Sequence, residues 1–206
     1  MSLGALVTID LHRGHLDPEV ATLALPAERS SRLLADVVPF TDRLRAHGIP
    51  VIHIITEYRD AEESLTNPFW RRHHDDPLSS RKQMTRHNLA ESPGTELMPG
   101  LYKKGDVVVR GKKRYDAFLG TDLEFVLRSH RIHRLYLAGV NTNSCVLATA
   151  IGANVRDFDV AIIQEGVSTM DSWTLHEASL KIVETAFGRV LGMDDVLREC
   201  VIGDGM

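Results

Sequence analysis

The sequence predicts an α/β protein of three-layer α/β/α, Rossmann-like form, with a mostly parallel sheet of about six strands and helices on both faces. Short apolar runs rich in β-branched residues alternate with longer amphipathic stretches, which is the pattern of βα units around a buried parallel sheet. No segment repeats at a fixed period and no low-complexity linker divides the chain, so residues 1–206 read as one domain. A composition of 43% hydrophobic and 25% charged residues supplies enough apolar side chains for a substantial core.

The elements follow in chain order. ALVTI (5–9) is the first strand, and residues 27–47 carry Leu33, Leu34, Val37, Val38 and Leu44 at helical spacing, with a kink expected at Pro39. PVIHIIT (50–56) is the second strand. From Glu57 to about Lys104 the rhythm breaks: NPFWRRHHDDP (67–77) and AESPGTELMPG (90–100) are polar and proline-rich, with scattered apolar residues. An irregular insert of this length reads as a lid or binding loop. DVVVR (106–110) is the third strand, and TDLEFVLRSH (121–130) opens with a Thr-x-x-Glu capping box and ends in basic residues that suit a helix dipole. RLYLAGV (134–140), DVAII (159–163) and a weaker RVL (189–191) complete the strands, separated and followed by helices over 143–156, 172–186 and 193–200.

Bulk properties narrow the partners. A formal net charge of -4 gives no electrostatic reason to expect nucleic acid or an anionic membrane. Two cysteines, Cys145 and Cys200, make neither a disulfide framework nor a four-thiolate zinc site. The stretch MSLGALVTIDLHRGH has no charged region ahead of its apolar run, which stops at Asp10 and is too short to span a bilayer. The cytoplasm is the expected compartment, where a free thiol stays reduced.

Ligands of an open parallel sheet bind beyond the carboxyl ends of its strands. Asp10 follows the first strand, Lys112 and Lys113 follow the third, and Cys145 lies five residues past Val140. A carboxylate, an ammonium and a thiol are thus delivered to one edge. A helix N-terminus and a nearby ammonium favour the thiolate, and a carboxylate can accept the thiol proton and return it to a leaving amine. Backbone N–H groups in the Asn-Thr-Asn-Ser corner before Cys145 suit the oxyanion of a tetrahedral intermediate. Each residue alone has a structural alternative: Asp10 as a cap, the lysines as solvated charges, Cys145 as an inert small hydrophobe.

Three segments, VTIDLHRGH, GKKRYDAFLGTDLEFVLRSHRI and LYLAGVNTNSCVLATAIGANVRDFDVAII, with the tail HEASLKIVETAFGRVLGMDDVL, resemble the isochorismatase-like cysteine hydrolases, the group of nicotinamidases, N-carbamoylsarcosine amidohydrolases and biuret hydrolases. The resemblance runs from about Leu6 to Val196. It implies a catalytic triad of Asp10, Lys112 (from a K-x-x-Y-x-A-F pattern ending at Phe118) and Cys145, with Lys113 a neighbour. It also implies an oxyanion hole of the Asn141 and Cys145 amides, a cis peptide between Val140 and Asn141, and assembly as a dimer or tetramer. The insert would then close either its own pocket or a neighbour's.

Departures from the family pattern bear on the substrate. His12 and His15 stand in a first-strand motif that often reads D-x-Q-x-x-F, and Asp116 takes a position that is commonly serine. Glu57-Tyr58-Arg59 replaces the Asp-x-His metal motif of nicotinamidases, so neither a metal nor another cofactor is expected. His73 and His74 read as a solvated loop face. The pocket candidates are His15, Arg59, Asn67, Phe69, Trp70, Arg114, Tyr115 and Asn141. Either Arg59 or Arg114 could pair with a substrate carboxylate. The expected activity is hydrolysis of a small amide or ureide C–N bond through a thioester. The alternatives are vinyl-ether hydrolysis of isochorismate, which does not need the cysteine, and a thiol redox sensor.

Overall fold

The computed structural model describes residues 4–202, and the two ends of the expected 1–206 domain, 1–3 and 203–206, lie outside the described residues. Strand β1 (Gly4–Ile9) is buried along its whole length, as a strand covered on both faces requires. A single turn, α1 (Arg13–Leu16), leads to α2 (Ala27–Ala46), which runs through Pro39 without a break, and then to β2 (Val51–Thr56). The insert holds α3 (Ala61–Leu65), α4 (Pro68–His74) and 3-10 turns at Met84–Arg86 and Pro93–Thr95. The chain continues through β3 (Val107–Lys112), α5 (Leu123–Ser129) and β4 (Arg134–Val140). A π-helical turn at Thr142–Val146 runs into α6 (Leu147–Asn154), followed by β5 (Asp159–Ser168), α7 (Trp173–Ala186), β6 (Arg189–Leu191) and α8 (Met193–Ile202).

Two elements depart from the sequence reading for local reasons. Helix α5 begins at Leu123 and the capping box is not made: Thr121 Oγ1 donates to the Ala117 carbonyl, and Glu124 is drawn to Arg156 Nε at 3.1 Å. Strand β3 continues past Arg110 to Lys112, so the lysine is the last residue of the strand itself.

All six strands are parallel, in the order β3-β2-β1-β4-β5-β6. The order reverses between β1 and β4, which opens the crevice where such sheets bind ligands. Alternate residues of each strand feed different layers. Val7, Ile9, Leu135 and Ile162 pack against Leu123 and Leu127 of α5, Ala150 of α6 and Val183 of α7. Leu6, Tyr136 and Ala161 pack on the opposite face against Phe40 and Leu44 of α2 and Val196 of α8. The insert contributes Tyr58, Trp70 and Met84 to a small separate cluster completed by Leu23. Among the described residues no helix is long and apolar enough to cross a membrane.

The switch point is tight. Gly139 of β4 lies beside Ile9 of β1 with φ 126°, and a Cβ there would stand 2.0 Å from the Ile9 carbonyl oxygen. Both the conformation and the space demand glycine. Gly139→Ala is expected to destabilise the protein by at least about 3 kcal/mol, read as a lower urea midpoint at unchanged slope. A midpoint equal to that of the parent protein would refute this account.

Candidate active site

Asp10 leaves β1 in the left-handed region, with φ 56°, a conformation few non-glycine residues adopt. Its Oδ1 accepts from the Thr56 amide (3.0 Å) and the Thr56 hydroxyl (2.8 Å), and lies 3.5 Å from His12 Nε2. Its Oδ2 faces Lys112 Nζ at 2.6 Å. The same ammonium reaches Thr56 Oγ1 at 2.7 Å and Cys145 Sγ at 3.2 Å. An ammonium has three N–H groups, and here each has an acceptor, which a buried cation requires. Lys112, Asp10 and Cys145 are all buried.

The electrostatics follow from these contacts. Burial alone would raise the Asp10 pKa, but Lys112, helped by His12, outweighs it and holds the carboxyl well below the usual range. Burial works against charge on Lys112, and the Asp10 charge more than offsets it, so the ammonium persists above its ordinary pKa. Burial pushes the Cys145 thiol up to about 11; Lys112 opposes this, while Asp10 adds to it. Burial therefore favours the neutral thiol, which leaves a proton for a neighbouring carboxylate to accept. Burial is the main cause, and the ammonium, already paired with the carboxylate, offsets only part of it.

Cys145 sits within the π-helical turn, whose Asn141 carbonyl accepts from both the Ser144 and Val146 amides at 3.1 Å. The peptide between Val140 and Asn141 is cis, as the resemblance implied. Three side chains of the corner are hydrogen-bonded elsewhere: Asn141 Oδ1 accepts from the Met170 amide (2.7 Å), Thr142 Oγ1 donates to the Ser168 carbonyl (3.0 Å), and Asn143 Nδ2 donates to Asp171 (2.8 Å).

A pocket of about 370 Å³ opens onto Cys145 and Lys112. Of the residues expected in it, His15, Trp70, Arg114, Tyr115 and Asn141 line it. Arg59, Asn67 and Phe69 do not. The Arg59 side chain is 82% exposed and binds Glu63 one turn along α3. Asn67 is the N-cap of α4, accepting from the Phe69 amide at 2.9 Å, and Phe69 lies partly exposed against the His73 ring. Helix α4 buries only Trp70, whose Nε1 donates to the Tyr115 hydroxyl at 3.0 Å. His73 and His74 belong to this helix and are partly covered by it, not to a solvated loop. Asp116 has a local job: it accepts from the Phe118 amide at 2.9 Å.

The pocket also takes Thr56, Tyr58, Arg81, His87 and Ser144, which sequence reasoning missed. Thr56 was findable, as the last residue of a strand at the ligand edge. Arg81 and His87 lie in the insert, where no periodicity announces which side chains turn inward. Among the described residues no three His, Cys, Asp or Glu side chains are grouped to hold a metal ion.

A doubly wound parallel sheet, with a carboxylate, an ammonium and a thiol in contact at its switch point, defines an α/β protein built around a candidate nucleophilic cysteine. Residues 4–195 match the isochorismatase domain, and the chain belongs to that family. It is 37% identical over 100 residues to the isochorismatase family protein PncA of Bacillus subtilis (strain 168), a match covering 43% of this chain and 55% of that protein. It is 25% identical to the ureidoacrylate amidohydrolase RutB of Methylobacterium radiotolerans, over 90% of this chain and 74% of the relative. It is 28% identical to an N-carbamoylsarcosine amidase of an Arthrobacter species, over 81% of this chain and 60% of that protein. Among solved structures, an isochorismatase family protein from Burkholderia thailandensis superposes with a TM-score of 0.77 at 28% identity, covering 97% of this chain and 96% of that one. The nicotinamidase/pyrazinamidase PncA from Bacillus subtilis gives 0.72 at 27%, covering 92% and 99%.

Removing the ammonium tests the electrostatics directly. In the parent protein Asp10 has a depressed pKa when folded, so its contribution is present above the unfolded pKa and is lost as pH falls through the folded one. In Lys112→Met, burial acts on Asp10 with only Thr56 and His12 left to oppose it, and the folded pKa is expected to rise above the unfolded value. The variant is expected to lose about 3–5 kcal/mol at pH 7 and to regain stability as pH falls towards 4, roughly the unfolded carboxylate pKa. Denaturant titrations between these pH values check the sign; a variant that weakens steadily with acid contradicts it.

Proposed function

We propose that this chain is a cysteine-dependent amidohydrolase that cleaves a small amide or ureide C–N bond, with an N-carbamoyl or ureido acid as substrate and ammonia or an amine as product. The observation that carries the reading is the contact of Lys112 Nζ with both Asp10 Oδ2 and Cys145 Sγ on the wall of a small pocket. Burial favours the neutral thiol, and Asp10 takes its proton as Sγ attacks the carbonyl carbon. The negative charge then passes from carboxylate to sulfur, and Lys112 touches both ends of that path. The transfer moves charge without stranding it.

The tetrahedral oxygen receives the Asn141 and Cys145 amides. Asp10 gives the proton to the departing nitrogen, the C–N bond breaks, and the acyl group stays on sulfur as a thioester. Water then adds to the thioester carbonyl with Asp10 as base. Sγ leaves and recovers the proton from Asp10. Vinyl-ether hydrolysis would have no use for the sulfur, and a buried neutral thiol is a poor redox sensor, so the contact supports the amide reading over both alternatives.

Arg114 supports an acidic substrate. It lines the pocket with its guanidinium over the Trp70 ring at 5.1 Å, and donates only to the Glu63 and Lys113 carbonyls. Among the described residues it has no carboxylate partner, whereas Arg81 is held by both oxygens of Asp171. Two relatives bear names that denote ureido acids, which agrees with this.

Ammonia release across N-carbamoyl acids, neutral ureides and primary amides tests the reading. Cys145→Ala is expected to lose on the order of a thousandfold or more, and a cysteine-linked acyl adduct is expected in the parent enzyme by mass spectrometry. Undiminished ammonia release by Cys145→Ala would sink the mechanism. Arg114→Met is expected to raise KM for N-carbamoyl acids about tenfold or more with little change in kcat, and to leave neutral ureides unaffected. Equal losses on charged and neutral substrates would remove Arg114 from carboxylate binding.

A further inference from the structure

His15 stands on α1, in the position where the family motif often has an aromatic ring. Its ring is buried, 5.2 Å from that of His12 and 4.9 Å from that of His87. Its Nδ1 lies 2.8 Å from the Leu23 carbonyl oxygen. A carbonyl can only accept, so Nδ1 carries the hydrogen of the neutral ring. Burial, reinforced by His12, pushes the imidazole pKa down to about 3, so a second proton is not taken up near neutrality. Nε2 is consequently a bare lone pair. It has no partner among the described residues, yet it is not among the polar atoms sealed from solvent, and His15 lines the pocket.

Most other acceptors around the pocket are already engaged; the Ser144 hydroxyl, which has no partner among the described residues, can donate as well as accept. His87 meets Thr22 Oγ1 through Nδ1 at 2.8 Å and the Asn88 carboxamide through Nε2 at 3.1 Å. The Tyr115 oxygen accepts from Trp70, Asn141 Oδ1 accepts from the Met170 amide, and Thr56 Oγ1 accepts from Lys112. His15 Nε2 is left as an obligate acceptor with nothing to accept.

We propose that His15 is a specificity-determining residue: its Nε2 accepts an N–H of the substrate's ureido group, and the pocket thereby takes ureides in preference to simple amides. This rests on the amidohydrolase reading and names its substrate class. The departing nitrogen must face Asp10 to receive a proton. The N–H left for His15 is then the one on the retained side of the carbonyl, which a ureide of a primary amine has and a simple amide or an N-alkylated ureide lacks. An amide presents a methylene there and leaves a desolvated acceptor unpaired, which is the more costly way to lose a hydrogen bond.

N-carbamoylglycine and succinamic acid form the test pair, because they differ only in NH against CH2 at that position. The parent enzyme is expected to favour N-carbamoylglycine by about tenfold or more in kcat/KM. His15→Phe, which restores an aromatic ring, is expected to abolish the preference by raising KM for N-carbamoylglycine while sparing succinamic acid. His15→Gln can still donate to the Leu23 carbonyl and turn an oxygen to the pocket, and is expected to recover part of the preference. A parent enzyme that cleaves both compounds equally overturns the inference and leaves the amidohydrolase intact. So does a His15→Phe variant that retains the preference or loses both activities equally. If neither these compounds nor any other ureide or amide releases ammonia, the amidohydrolase reading falls and this inference falls with it.

Discussion

The buried ion pair between Asp10 and Lys112 is the constraint on which the rest of the site depends. Its partners come from β1 and β3, which are not neighbours: β2 lies between them. Two strand spacings amount to about 9.6 Å, a gap that only a long side chain can cross while its ammonium stays dry. Lys112 crosses it over Thr56, its register partner on β2, whose hydroxyl accepts from the ammonium and donates to the carboxylate. The strand order therefore dictates the residue type. A shorter cation could not reach, and without Thr56 the ammonium would have one N–H unpaired in an apolar setting.

This constraint explains what was legible in the sequence. Strand ends are marked by apolar runs that stop abruptly, so Asp10, the Lys112-Lys113 pair and the Cys145 turn could be placed on one edge from pattern alone, and the family resemblance singled out Lys112. The state of the thiol could not. It depends on how deeply Sγ is buried and on whether the ammonium has already found a carboxylate, and neither quantity has a one-dimensional signature. The insert shows the same limit at closer range. Phe69 and Trp70 are adjacent and equally aromatic, yet α4 turns them about 100° apart, so one seals the pocket and the other meets solvent. Arg59 and Arg114 were equally good carboxylate partners on paper. Glu63, which binds the first by its side chain and the second only through its carbonyl, separates them.

Histidines 12, 15 and 87 show why replacing one residue near such a pair has wider effects. His12 Nε2 lies near Asp10 Oδ1 and meets the Asn88 carboxamide at 3.2 Å, and that carboxamide also meets His87. The carboxamide thus bridges the two imidazoles, and the first of them also faces the Asp10 carboxylate. Gly14 is held to its small size by this bridge, because a Cβ there would stand 1.8 Å from Asn88 Oδ1. The first turn after β1 thus serves two ends: it braces Asp10 through His12 and turns His15 towards the pocket.

The roof and the nucleophile are tied together as well. Asp171 accepts from Asn143 in the cysteine-bearing turn and from Arg81 in the insert, at 2.8 Å and 2.7 Å. Arg81 lines the pocket, so the same carboxylate that anchors the turn also positions part of the wall facing it. Oxyanion stabilisation depends on amides already fixed before the charge develops, and a turn held by Ser168, Met170 and Asp171 has the rigidity that the proposed role requires. In this arrangement the shape of the pocket and the rigidity of the turn are not independent variables. A change in the insert that releases Arg81 leaves Asp171 a partly buried carboxylate with one fewer partner, and the disturbance has a path to the Cys145 turn through Asn143.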